Sequence, residues 1–157
     1  MKPGADGVVL LPEEVLARIP QQNPFRFVDE IVTIDEEEVV ARYRWREDAD
    51  FYRGHFPGNP VTPGVLLVES MAQAGVVALG LYLVARDPSL RPGGSTLIAF
   101  TDANVEFSGI VRPGERVEIR GRKQFLRRGK IRAEVEMRRE DGSLVCSGVI
   151  SGMAVAP

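Results

Sequence analysis

From Val65 to Ala85 the chain runs VLLVESMAQAGVVALGLYLVA, twenty-one residues with a single charge, at Glu69. No other feature narrows the fold as much. The run opens behind Thr62 and Pro63 and closes at Arg86 and Asp87, which frames one long helix with Pro63 at its first position and Thr62 as its cap. Its length is nearly that of a membrane span. Glu69, Ser70 and Gln73 in one half and Gly75 and Gly80 in the other argue instead for a helix enclosed by protein.

What surrounds it reads as strands. EVVARYRW alternates Ala41, Tyr43 and Trp45 with Arg42, Arg44 and Arg46, the period of a half-buried strand. Ile131, Ala133, Val135 and Met137 alternate in the same way with Arg132, Glu134, Glu136 and Arg138. Further strands are expected at PFRFVDEIVTID, STLIAFTD, ANVEFSG, RVEIRGRKQFL and SLVCSGVISGMAV, with hairpin turns at RRGK and REDGS and a tight turn at RPGE. LPEEVLARIP, Leu11 to Pro20, is a short helix opened by Pro12 and two glutamates. Without repeat or linker, residues 1–157 form one α+β domain, an antiparallel sheet wrapped around one hydrophobic helix. Such a sheet keeps an open edge and leaves the helix partly bare, so pairing of two copies is expected.

Composition limits the chemistry. An apolar fraction of 44% and a charged fraction of 27% are those of a soluble globular protein. One cysteine, Cys146, and one histidine, His55, leave no disulfide and no zinc-ligand spacing. The start, MKPGADGVV, is not a secretory leader, and a cytoplasmic protein is expected. Charge is uneven: residues 1–50 carry six basic and twelve acidic side chains, residues 112–139 eleven and four. The basic cluster GRKQFLRRGKIR suits a solvated strand face, an acidic protein or a phosphorylated ligand. No nucleic-acid motif accompanies it.

The one histidine sits in YRGHFPGNPVTPG, where Pro57, Pro60 and Pro63 fix three backbone angles. A stiff loop of this kind suits an imidazole that must be held in place as a base. Glu69 follows fourteen residues later among Leu66, Leu67, Val68, Met71 and Ala72. A carboxyl there must be paired, neutral or functional, and burial favours its protonated form. Gln73, one turn on, can hold Glu69 or a substrate amide. The amides of Gly64, Val65 and Leu66 leave the helix N-terminus free to receive an oxyanion. Ser70 lacks the strand–turn elbow of a nucleophilic serine, and Cys146 falls in an alternating strand as packing. Base, acid and oxyanion donors together suit proton removal α to a carbonyl and loss of a β-hydroxyl, or the reverse hydration.

GHFPGNPVTPGVLLVESMAQAG, Gly54 to Gly75, closely resembles the active-site segment of the FabZ-type β-hydroxyacyl-acyl carrier protein dehydratases of the hot-dog fold. The likeness reaches upstream to IPQQNPFRFVDEI and downstream to VEFSGIVRPGERVEIRGR, covering about residues 20–153. It implies His55 and Glu69 as the catalytic pair, meeting across a dimer interface, with Phe56, Pro63 and Gln73 in support. Gly64 and Val65 would hold the thioester carbonyl. It implies no cofactor beyond the phosphopantetheine that carries the substrate on an acyl carrier protein, and a homodimer or trimer of dimers. Arg122, Arg127, Arg128 and Lys130 are candidate contacts for the carrier on composition alone. Asn23, where FabZ members carry Tyr, and Arg26 depart from the family pattern and point to a specialised acyl chain, polyketide- or polyene-like. A hot-dog thioesterase is the alternative, but it does not need a histidine on such a mount.

Overall fold

A computed structural model describes residues 6–90 and 97–155. Helix α1, Pro12–Arg18, opens at Pro12, and the Glu14 carboxylate reaches back to accept from the Leu11 amide at 2.7 Å. Strands β1, Glu30–Ile34, and β2, Glu38–Arg44, form a hairpin, and a 3-10 turn, Asp50–Arg53, leads to the histidine loop. Helix α2 runs continuously over Gly64–Arg86, then β3, Leu97–Phe107, β4, Arg116–Arg127, β5, Lys130–Arg139, and β6, Leu144–Val155, complete the chain. All six strands join one antiparallel sheet in the order β1-β2-β4-β5-β6-β3.

The sheet wraps α2, which is the hot-dog arrangement. The helix is long and apolar enough to cross a membrane by composition, yet 67% of that apolar window is buried within the fold. At about 1.5 Å per residue its 23 residues span roughly 35 Å. Its middle, Gln73–Ala78, is a π-helical stretch whose residues are all buried. There the helix backbone lies almost on β4. A Cβ on Gly121 would stand 2.6 Å from the Gly75 Cα, and one on Gly75 would stand 2.6 Å from the Val135 side chain. Only paired glycines permit that approach.

The alternating strands behave as expected. Ala41, Tyr43 and Trp45 are buried, as are Ile131, Ala133, Val135 and Met137. Three local expectations are corrected. The stretch Pro24 to Asp29 is not strand: the Phe25 carbonyl and the Phe27 amide and carbonyl are taken by side chains from α2, and only at its end does the Asp29 amide reach the Arg42 carbonyl of β2. STLIAFTD and ANVEFSG are not two strands: β3 passes through both, with a register break between Phe100 and Asp102, while Ser95 and Thr96 lie outside the described residues. Helix α2 begins at Gly64, with Pro63 in the cap position at ψ 132. Thr62 precedes the cap position and makes no capping hydrogen bond; its buried hydroxyl pairs instead with the Tyr52 hydroxyl at 2.6 Å.

Candidate active site

Five residues separate His55 from Val61, and the loop between them closes on itself. The Val61 amide donates to the His55 carbonyl at 2.9 Å, and His55 Nδ1 lies 2.7 Å from the Val61 carbonyl. A carbonyl only accepts, so Nδ1 carries the hydrogen and Nε2 is left as the basic nitrogen. Phe56 and Asn59 exchange backbone hydrogen bonds at 3.1 and 2.9 Å, and the Thr62 amide ties the loop to the Val111 carbonyl at 2.8 Å. Phe56 is half exposed, with its ring stacked on the imidazole at 4.2 Å between centroids. The prolines therefore stiffen a loop whose hydrogen bonds already fix the ring and its tautomer.

At the start of α2, Gly64 packs beneath Phe107 of β3, where an added Cβ would come within 3.1 Å of the ring. Among the described hydrogen bonds the Gly64 and Val65 amides have no acceptor, and Val65 is 77% exposed. The Leu66 amide does not join them. It donates to the Pro63 carbonyl at 3.0 Å, closing the first turn.

Glu69 lies one turn further along. Desolvation pushes its carboxyl above the ordinary value of 4.5, partly offset by a hydrogen bond from Gln73 Nε2 at 2.9 Å. Gln73 is fully buried and fully committed. Its Nε2 also donates to the Phe25 carbonyl at 2.8 Å, and its Oε1 accepts from the Phe27 amide at 2.8 Å. Ser70, likewise buried, donates to the Phe27 carbonyl at 2.8 Å. The two side chains replace the strand partner that residues 25–27 lack, and Gln73 thus orients Glu69 rather than a substrate amide. Ser70 has no nucleophilic role in this arrangement. Nor has Cys146: it is buried against Met71 with its sulfur 3.7 Å from the Met71 sulfur, and burial pushes its thiol up to about 12.

A cavity of about 140 Å³ opens beside Glu69, walled by Ala72, Val76 and Val77 of α2, Ile98 and Phe100 of β3, and Ser151 of β6. The segment before β1 contributes Gln21 to this wall; Asn23 is exposed, and Arg26 points its guanidinium at the Leu16 carbonyl of α1. Sequence reading passed over Gln21 and Ser151. A serine breaking the apolar run around Ile150 was the available signal.

Within one chain, no hydrogen bond or ion pair among the described residues joins His55 to Glu69. The basic candidates all lie on the β4–β5 hairpin but meet different partners. Arg122 lies 3.8 Å from Glu38, Lys130 3.5 Å from Asp102, and Arg127 covers the Phe125 ring at 4.3 Å. Arg128 occupies the β4–β5 turn at φ 51. Among the described residues no cluster of three His, Cys, Asp or Glu could hold a metal ion.

Comparison with known proteins supplies the frame for this geometry. Residues 19–148 match the FabA-like domain family. The 3-hydroxyacyl-[acyl-carrier-protein] dehydratase FabZ of Thermus thermophilus is 36% identical over 127 residues, covering 78% of this chain and 85% of that protein. Its counterpart from Caldicellulosiruptor saccharolyticus is 35% identical, covering 85% and 91%. Among solved structures, the dehydratase heterocomplex ApeI:P from Xenorhabdus doucetiae aligns with a TM-score of 0.72 at 15% identity, covering 94% of this chain and 93% of that one. A thioesterase from Haemophilus influenzae aligns at 0.66 and 17% identity, covering 94% and 92%. At such identities the two structures speak for the fold alone. The family match and the FabZ relatives speak for more, and on them the chain belongs to the FabA-like family as a hot-dog enzyme of the FabZ dehydratase type.

Proposed function

We propose that the protein removes water from a (3R)-3-hydroxyacyl thioester, carried on the phosphopantetheine of an acyl carrier protein in the cytoplasm, to give the trans-2-enoyl thioester. One observation carries this reading: the only histidine is anchored through Nδ1 to the Val61 carbonyl with Nε2 unengaged among the described residues, while the carboxyl of Glu69 is biased by burial toward its protonated form. A base and an acid with opposite tasks are what an elimination needs. His55 Nε2 takes the C2 proton. The electron pair passes into the thioester carbonyl, whose oxygen accepts from the Gly64 and Val65 amides. It then returns to form the C2–C3 double bond as the C3–O bond breaks, and Glu69 donates its proton to the departing hydroxyl, which leaves as water. Proton return from His55 to Glu69 closes the cycle.

A second copy of the chain completes the site in this reading. Strand β3 lies at the sheet edge and leaves nine of its eleven residues exposed, Phe100 and Phe107 among them. A long unpaired edge with aromatic side chains is a surface to be covered. Pairing there brings each Glu69 cavity beside the partner's loop, in a homodimer or a trimer of dimers. The carrier docks through its acidic surface on the basic β4–β5 hairpin, at Arg127, Arg128 and Lys130, with Arg122 further back along β4.

Formation of enoyl thioester from 3-hydroxyacyl carrier protein and from the CoA thioester, followed by mass, tests the reaction. His55→Ala and Glu69→Gln are each expected to lower kcat by about 10²–10⁴-fold. Full activity in both variants would remove the site assignment.

A further inference from the structure

Strand β3 runs back along α2, and two glycines of the helix mark how closely. An added Cβ on Gly64, at the helix start, would come within 3.1 Å of the Phe107 ring, and one on Gly80 would meet Ile98 Cδ1 at 3.4 Å. The cavity beside Glu69 lies between these two contacts, with Ala72, Val76 and Val77 on the helix side and Ile98 and Phe100 on the strand side.

Its two ends differ. At one stands Glu69, the acid of the reaction proposed above. At the other, Val76 and Ile98 converge on Gly152 of β6, where an added Cβ would stand 2.7 Å from Ile98 Cγ2 and 3.0 Å from Val76 Cγ1. Side chains of a helix and a strand therefore close on a second strand with no room for one more methyl group. Val76 and Gly152 are buried there, and Ile98 reaches on past them to Gly80. All three residues belong to one chain, so the stop is present whichever copy supplies the histidine.

The space in front of the stop is about 140 Å³. An apolar cavity of about 150 Å³ holds benzene, with its six carbons. Length gives a looser bound. Seven residues take the helix from Glu69 to Val76, roughly 10 Å, and an extended chain advances about 1.2 Å per bond, so roughly eight bonds fit. Volume is the tighter limit: with C3 at Glu69, about five carbons beyond it fill the space.

Resting on the dehydratase reading above, we propose that Val76 and Ile98, closing on Gly152, limit the acyl chain to about eight carbons. The substrate class is a short- to medium-chain 3-hydroxyacyl thioester rather than a long-chain one.

The test measures kcat/KM of the intact oligomer on four carrier-bound thioesters: 3-hydroxyhexanoyl, 3-hydroxyoctanoyl, 3-hydroxydodecanoyl and 3-hydroxyhexadecanoyl. One methylene too many in an apolar pocket is worth about 10–200-fold, so the dodecanoyl substrate is expected to fall at least about tenfold below the octanoyl one. Ile98→Ala and Val76→Ala, which open the stop, raise that dodecanoyl-to-octanoyl ratio toward one, and the milder Ile98→Val raises it less. Thermal melts confirm that each variant is folded. A parent that turns over the dodecanoyl and hexadecanoyl substrates as well as the octanoyl one overturns the proposal and leaves the dehydratase reading standing. No dehydration at any length overturns that reading, and the proposal with it. A selective parent whose ratio is unchanged in folded Ile98→Ala and Val76→Ala overturns the assignment to these residues.

Discussion

Gln73 Nε2 stands 2.9 Å from Glu69 Oε1, and the same amide group holds the backbone of Phe25 and Phe27 at 2.8 Å. One side chain therefore joins the acid to the segment that closes the fold beside it. Gln73→Leu keeps the volume but strands a buried amide and a buried carbonyl. A loss of about 2–5 kcal/mol in unfolding free energy is expected from denaturant titration, together with reduced turnover. A variant as stable as the parent would show that Gln73 is not the tie.

The burial of Glu69 also makes a prediction about pH. Its folded-state pKa is raised above 4.5, so over the window from 4.5 to the raised value the folded chain binds more protons than the unfolded one. Stability contributed by this group is present below 4.5 and is lost as pH rises through that window. Glu69→Gln removes the dependence. The stability of the variant relative to the parent is expected to rise with pH across the window and level off above it. A flat difference would mean that Glu69 is not desolvated.

The division of the site between two copies is tested by mixing. His55→Ala and Glu69→Gln are each inactive as homodimers in the proposed mechanism. Subunit exchange between them makes half the dimers mixed, and each mixed dimer regains one site with both residues intact if the pair acts across the interface. About a quarter of parental activity is then expected from an equal mixture. A pair acting within one chain regains none.

Much of this site was legible in advance because it is local. His55, Gly64, Val65 and Glu69 fall within fifteen residues, and the roles proposed for them rest on a stiff loop, a helix start and a carboxyl in an apolar run. The long helix and the alternating strands were legible for the same reason, since periodicity reports burial directly. What escaped was set by distant contacts. Whether Pro24 to Asp29 forms strand depends on Gln73 and Ser70, more than forty residues away. Ser151 and Gln21 share a cavity across 130 residues of sequence, and no local pattern brings them together. Thr62 looks like a cap until Tyr52 takes its hydroxyl.

The close approach of α2 to β4 yields the last prediction, and three glycines on these elements separate its causes. A Cβ on Gly121 would meet the Gly75 Cα at 2.6 Å, backbone that can yield only if the helix shifts. A Cβ on Gly75 would meet Val135 Cγ1 at the same distance, a side chain that can turn only within a packed core. On Gly80 the nearest atom would be Ile98 Cδ1 at 3.4 Å, the outer end of a flexible side chain. Overpacking of this kind costs about 1–3 kcal/mol, whereas Gly→Ala in a helix with room gains roughly 0.5–1 kcal/mol. Gly121→Ala is therefore expected to destabilise most, Gly75→Ala next, and Gly80→Ala to be neutral or stabilising. Because the contact lies beside the Gln73 turn, Gly121→Ala also displaces Glu69 and lowers kcat. Thermal melts and turnover of the three variants check the order, and a destabilised Gly80→Ala beside a stable Gly121→Ala would refute the packing account.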